Sequence, residues 1–142
     1  MVSTKTTSVR QWMTADPVTV TPETTVPDAA LIMRQGGFRR LLVMEDGKLV
    51  GIVTDRDLKE AMPSDATSLS IWEINYLVAK LPVREVMSYP VISIDESATL
   101  EQAAKIMLEN KLGGLPVVSG EKLVGIVTVS DVLRAFVHCG AN

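Results

Sequence analysis

Two threonine–aspartate pairs offer the clearest chemistry in the chain: Thr54-x-x-Asp57 and Thr128-x-x-Asp131. Each puts a hydroxyl and a carboxylate on the first turn of a helix, where unpaired backbone N–H groups also point. Such a turn can hold a sugar diol and a neighbouring phosphate. The same spacing serves a plainer purpose, because an acidic residue three places after an N-cap threonine closes a capping box without any ligand. Taken singly, each pair is open to both readings. Repetition weighs for binding. Lys48-Leu49-Val50-Gly51-Ile52-Val53-Thr54 recurs unchanged as Lys122-Leu123-Val124-Gly125-Ile126-Val127-Thr128, at an offset of 74 residues. Each copy reads as an apolar strand running into a polar turn. The glycine inside it marks a bulge or a close backbone approach, such as that of a ligand.

For catalysis the inventory is poor. The one histidine and one cysteine, His138 and Cys139, are adjacent near the end of the chain. No third orienting group and no oxyanion site accompany them. Ligands at zinc spacing are absent, as is a Gly-x-x-x-x-Gly-Lys-Ser/Thr phosphate loop. The expectation is a protein that is not an enzyme and has no catalytic or metal site. A chain of 142 residues, 46% apolar and 22% charged, reads as a soluble globular unit. It is long enough to bury about two-thirds of its unfolded surface. No apolar run approaches the roughly 20 residues of a membrane helix. A polar start and a single cysteine point to a reducing, cytoplasmic setting. The net charge of −3 and 4% aromatic content disfavour nucleic acid as a partner.

The elements that must position the two turns also repeat. Val9-Arg10-Gln11-Trp12-Met13-Thr14 answers to Val83-Arg84-Glu85-Val86-Met87-Ser88, and the alignment runs without a gap to Ala61 and Ala135. Short strands are expected at Val18–Val20 and Val91–Ile94. Helix starts follow at Thr25-x-x-Asp28 and Thr99-x-x-Gln102, with Pro27 in a first turn where its missing N–H costs nothing. Val26, Ala29, Ala30 and Met33, and likewise Leu100, Ala103, Ala104 and Met107, form the stripe of a helix buried on one face. Gly36 and Asn110 suit the left-handed positions that end these helices. A strand at Leu41–Met44, an Asp46-Gly47 hairpin and a returning strand at Lys48–Val53 follow, whereas Ser119-Gly120 predicts a different turn in the second copy. Strand, helix, hairpin and helix per repeat give an α/β (α+β) unit. Residues 9–61 and 83–136 are the repeats, and 62–82 is a linker with a short helix at 71–79, where Trp72, Tyr76 and Leu77 are candidate packing residues.

Gly-Ile-Val-Thr-Asp-Arg-Asp-Leu and Gly-Ile-Val-Thr-Val-Ser-Asp-Val resemble the end of a cystathionine-β-synthase (CBS) domain, and two in tandem resemble a CBS pair, or Bateman module. The linker, with Trp12-Met13-Thr14 and Val83-Arg84-Glu85-Val86-Met87, is similar to the acetoin-utilisation AcuB-type CBS proteins. Members of that group often carry a further C-terminal regulatory domain, which these residues do not include.

The resemblance implies two repeats packed about a pseudo-twofold axis, with two clefts for adenosine-type ligands. In each, an adenine lies among apolar residues, an aspartate holds ribose hydroxyls, and a threonine approaches phosphate. Carried over by position, one cleft combines Thr14, Val18, Phe38 and Arg39 with Thr128, Ser130 and Asp131. The other combines Ser88, Ile92, Leu112 and Gly113 with Thr54, Arg56 and Asp57. Arg39 offers a charge-assisted phosphate contact where Gly113 offers only room and backbone N–H, and Arg56 is a compensating charge. Arg39 and Arg40 also read as solvated charges before a strand. Leu42 stands where the second copy has Pro116.

The function implied is a regulatory module with no obligatory cofactor. It would bind AMP, ADP, ATP or S-adenosylmethionine and signal to a protein partner by conformational change. The alternative is a ligand-free dimerisation scaffold. Helices rich in small apolar and methionine residues, and the habit of related CBS pairs, imply a homodimer.

Overall fold

The computed structural model describes residues 7–61 and 78–139. In chain order these hold a 3₁₀ turn at Val9–Gln11, β1 (Thr14–Ala15), β2 (Thr19–Val20), α1 (Val26–Gly36), β3 (Arg40–Glu45), β4 (Lys48–Thr54) and α2 (Asp55–Glu60). A second 3₁₀ turn at Val83–Glu85 precedes β5 (Ile94–Asp95), α3 (Leu100–Asn110), β6 (Gly114–Ser119), β7 (Lys122–Thr128) and α4 (Val129–Cys139). The mixed α+β class and the repeated order are those expected. Most of the linker helix expected at 71–79, with Trp72, Tyr76 and Leu77, lies outside the described residues; Val78 and Ala79 are helical.

Local chemistry explains the element ends. Thr25 accepts the Asp28 N–H at 3.3 Å, while Thr99 and Gln102 close a full capping box at 3.1 and 2.9 Å. The left-handed caps fall one residue later than expected. Gly36 and Asn110 are still helical, and Gly37 (φ 69°) and Lys111 (φ 56°) turn the chain. Asn110 is held in the helix because its side-chain amide donates to the Ile106 carbonyl, 2.9 Å away. Asp46-Gly47 has positive φ at both positions, as a type I′ hairpin requires. Of Gly120-Glu121, only the glycine has positive φ, the pattern of type II′. The first short strand is trimmed to Thr19–Val20, which pair with Leu42 and Val43, whereas the second falls later than expected, at Ile94–Asp95, where the partners are Val117 and Val118.

The chain forms two compact units, Val18–Val91 and Met1–Pro17 with Ile92–Asn142. The first carries a sheet ordered β2-β3-β4, the second one ordered β1-β7-β6-β5. Val26, Ala29 and Met33 of α1 are buried with Leu41, Val43 and Val53 in one core. Leu100, Ala103 and Met107 of α3 repeat that arrangement with Leu115, Val117 and Val127 in the other. Leu42 and Pro116 are both fully buried, so the exchange of leucine for proline leaves the site filled.

Each sheet edge is completed by the leader of the other repeat. Thr14 and Ala15 pair antiparallel with Ile126 and Gly125 of β7. Ser88 pairs with Ile52 of β4 through N–H···O bonds of 2.8 and 3.1 Å. Val9 and Val83, which anchor these leaders, are fully buried. The strand glycines find their physical reason here. A Cβ at Gly51 would strike the Met87 sulfur, and one at Gly125 would strike the Met13 sulfur and lie 2.8 Å from the Thr14 carbonyl oxygen. A close approach at each glycine is made by the leader's methionine. A bulge lies beside each glycine, between Val43 and Met44 and between Val117 and Val118.

A methionine side chain can swing aside, but a backbone carbonyl in a paired strand cannot. Gly125→Ala should thus destabilise the chain by about 1–3 kcal/mol, the usual range for overpacking, and Gly51→Ala by less. Urea unfolding of both variants checks the order.

Candidate functional site

In the unit spanning Val18–Val91, β4 delivers Thr54 directly to the start of α2. Thr54 Oγ1 accepts the Asp57 N–H at 3.1 Å, and Asp57 Oδ2 accepts the Thr54 N–H at 2.8 Å. This is a closed capping box. Among the described residues no donor reaches Asp57 Oδ1. Arg56 projects outward, with Nε 3.0 Å from Glu60 Oε1. The Asp55 N–H donates to the Arg39 carbonyl at 2.9 Å, tying the approach to β3 against the same turn. Ser88, paired two residues upstream of Thr54, is exposed at the sheet edge.

In the other unit, β7 delivers Thr128 to α4 in the same way, yet the carboxylate is more heavily engaged. Asp131 Oδ2 accepts the Thr128 N–H at 2.8 Å and the Thr128 hydroxyl at 3.1 Å. Asp131 Oδ1 accepts Arg134 Nη1 at 2.8 Å. Asp131 is only 5% exposed, and it is one of two buried polar residues among those described. The Val129 N–H donates to the Gly113 carbonyl at 3.1 Å, matching Arg39 in the first unit. Thr14, paired two residues upstream of Thr128, matches Ser88.

The structure thus pairs Thr14 with the strand that ends in Thr128, and Ser88 with the strand that ends in Thr54. Val18, Phe38 and Arg39 belong to the Val18–Val91 unit, and Ile92, Leu112 and Gly113 to the other. Arg39 is exposed, whereas Arg40 is half-buried at the start of β3, so the two are not alike. Desolvation lowers the Arg40 pKa from its ordinary value, Asp55 opposes the shift and Arg39 adds to it. Arg134 escaped the sequence reading. Its signal was the i, i+3 spacing from Asp131, which makes neighbours on a helix surface.

A cavity of about 610 Å³ opens between α1 and α2, walled by Val26, Met33, Phe38 and Leu58 with Lys59 at its margin. It does not include Thr54, Arg56 or Asp57. Phe38 reaches it by folding over Gly36, where no Cβ stands in the way. Among the described residues no group of three His, Cys, Asp or Glu side chains is placed to hold a metal ion. No helix among them is long and apolar enough to cross a membrane.

The CBS-domain profile matches residues 9–64 and 83–138. The chain belongs to the CBS-domain family. Its two CBS domains form a tandem pair. The protein is 34% identical over 136 residues to MJ1225 of Methanocaldococcus jannaschii, covering 90% of this chain but 46% of that one. It is also 34% identical to the CBS domain-containing protein YhcV of Bacillus subtilis, over 88% of this chain and 82% of YhcV. The chain therefore spans about half of the first relative and most of the second. Enzymes carry the same pair: inosine-5'-monophosphate dehydrogenase of Korarchaeum cryptofilum is 36% identical over 124 residues, 23% of its length.

Solved CBS structures superimpose closely. CBSX2 in complex with AMP has a TM-score of 0.75 at 32% identity, covering 93% of this chain and 97% of that one. The CBS pair of MJ0100, in complex with 5'-methylthioadenosine and S-adenosyl-L-methionine, has a TM-score of 0.76 at 27% identity, with the same coverage. The AcuB acetoin utilization protein of Vibrio cholerae has a TM-score of 0.75 at 33% identity, covering 92% and 90%.

The two carboxylates should differ in their structural weight. Asp57→Ala removes one capping partner and should cost about 1 kcal/mol. Asp131→Ala takes a buried acceptor away from three donors and should cost more, about 1–3 kcal/mol. Thermal unfolding without ligand measures the difference.

Proposed function

We propose that this CBS pair is a regulatory module that senses an adenosine-containing ligand, AMP, ADP, ATP or S-adenosylmethionine, through its two threonine–aspartate turns. The observation that carries the reading is the duplicated turn itself, in which Asp57 and Asp131 each sit with a threonine at a helix start. Each aspartate would hold ribose hydroxyls, and the threonines with the neighbouring N–H groups would face phosphate. Thr14, Ser130, Ser88 and Arg56 supply the flanking polar groups. Val18, Phe38 and Ile92 would supply exposed apolar surface for adenine and Leu112 a partly buried apolar edge, and Arg39 and Gly113 would make the two sites unequal. The similarity to CBS structures holding AMP, 5'-methylthioadenosine and S-adenosyl-L-methionine supports the ligand class. In this reading the chain is cytoplasmic and performs no chemistry of its own, and the ligand changes how it contacts a protein partner.

A second reading, a ligand-free dimerisation scaffold, draws on a different observation. Leu133, Phe136 and Val137 of α4 are all more than half exposed, and Leu108 of α3 is 80% exposed. Such apolar helical surface suits a second copy of the chain, and a homodimer is compatible with ligand sensing too. Light scattering at micromolar concentration is expected to show twice 15.4 kDa. A monomer alone would count against the dimer.

A ligand that binds only the folded state must raise its stability. Thermal-shift measurements with AMP, ADP, ATP, S-adenosylmethionine and adenosine should therefore raise Tm for at least one of them. The Asp57→Ala/Asp131→Ala variant, folded by circular dichroism, should lose the shift. A folded double variant that binds as tightly as the parent would refute the site assignment.

A further inference from the structure

The two turns share a heptapeptide ending in threonine and an aspartate three places on, yet they carry opposite charges at the third place beyond each aspartate: Glu60 after Asp57 and Arg134 after Asp131. A carboxylate offers about four lone-pair positions. Asp57 gives one to the Thr54 N–H and keeps Oδ1 free among the described residues. Asp131 gives two on Oδ2 to Thr128 and one on Oδ1 to Arg134. One position remains, whereas a ribose diol brings two hydroxyl donors. In the first unit the available cation, Arg56, is drawn off to Glu60 and leaves Asp57 open.

We propose that Arg134 is a specificity-determining residue, one that closes Asp131 to neutral nucleosides and opens it to anionic ones. The inference rests on the nucleotide-binding reading above and deepens it. A neutral nucleoside must displace the guanidinium from a nearly buried carboxylate. A nucleoside monophosphate gives the guanidinium a second anionic partner, and the Arg134 side chain is 56% exposed with further N–H donors to spare. The Asp57 turn carries no such lock and accepts the uncharged diol.

The experiment uses the full chain with Asp57→Ala, which leaves a single aspartate turn, and calorimetry with adenosine and AMP. Arg134→Gln in this background is expected to tighten adenosine by about tenfold, the worth of one charge-assisted hydrogen bond, and to shrink the preference for AMP. Arg134→Lys keeps the charge without the planar fork and should fall between. Lys105→Ala removes a surface cation that pairs with Glu109, leaves both oxygens of Asp131 engaged and should not tighten adenosine. Unchanged or weaker adenosine binding in a folded Arg134→Gln variant overturns the role of Arg134 while leaving the nucleotide reading intact. Failure of the unsubstituted chain to bind AMP, ADP, ATP, S-adenosylmethionine or adenosine overturns that reading, and this inference falls with it; binding of others but not of adenosine or AMP by the Asp57→Ala chain overturns this inference alone.

Discussion

Everything in this fold depends on how closely a short leader can approach a strand glycine. Met13 and Met87 lie over Gly125 and Gly51, where any side chain on the strand would collide with sulfur. That approach lets Thr14 pair with Ile126 and Ser88 with Ile52. The pairings in turn bring a hydroxyl-bearing leader alongside the strand that ends in each threonine–aspartate turn. The glycines are thus the steric condition for the polar neighbourhood around Asp57 and Asp131.

Much of this was legible from local chemistry. Cap threonines, the Asp46-Gly47 turn and the apolar stripes of α1 and α3 are short-range signals, and each fixes its element through a few neighbouring dihedrals. The left-handed caps were misplaced by one residue because Asn110 has an alternative, a side-chain bond to Ile106, that keeps it helical. Lys111 then takes a conformation that side chains rarely favour, which composition does not announce. The strand glycines illustrate the opposite difficulty. Their need for space was readable, but its occupant is a methionine far away in sequence, and nothing local to the heptapeptide names it.

The candidate site divides along the same line. Threonine and aspartate three apart are a local pattern and were found. The unlike surroundings of the two aspartates depend on which way Arg56 and Arg134 reach, a choice made by Glu60 in one helix and by Asp131 itself in the other. A helix surface offers each arginine more than one partner, and only the geometry selects. Arg40 shows the same limit, since its half-burial beside Asp55 separates it from the exposed Arg39 next to it.

The exchange of leaders has a consequence for the order in which the chain can mature. During synthesis, residues 9–15 emerge long before β7, the strand they pair with. The unit around α1 is closed sooner, once Met87 and Ser88 arrive. That leader must therefore wait for its partner strand, and long-range pairing of this kind slows folding relative to local contacts. Cutting the chain between the repeats would yield two pieces each lacking a sheet edge, with Gly51 and Gly125 uncovered. The duplication visible in the sequence therefore does not mark two autonomous modules.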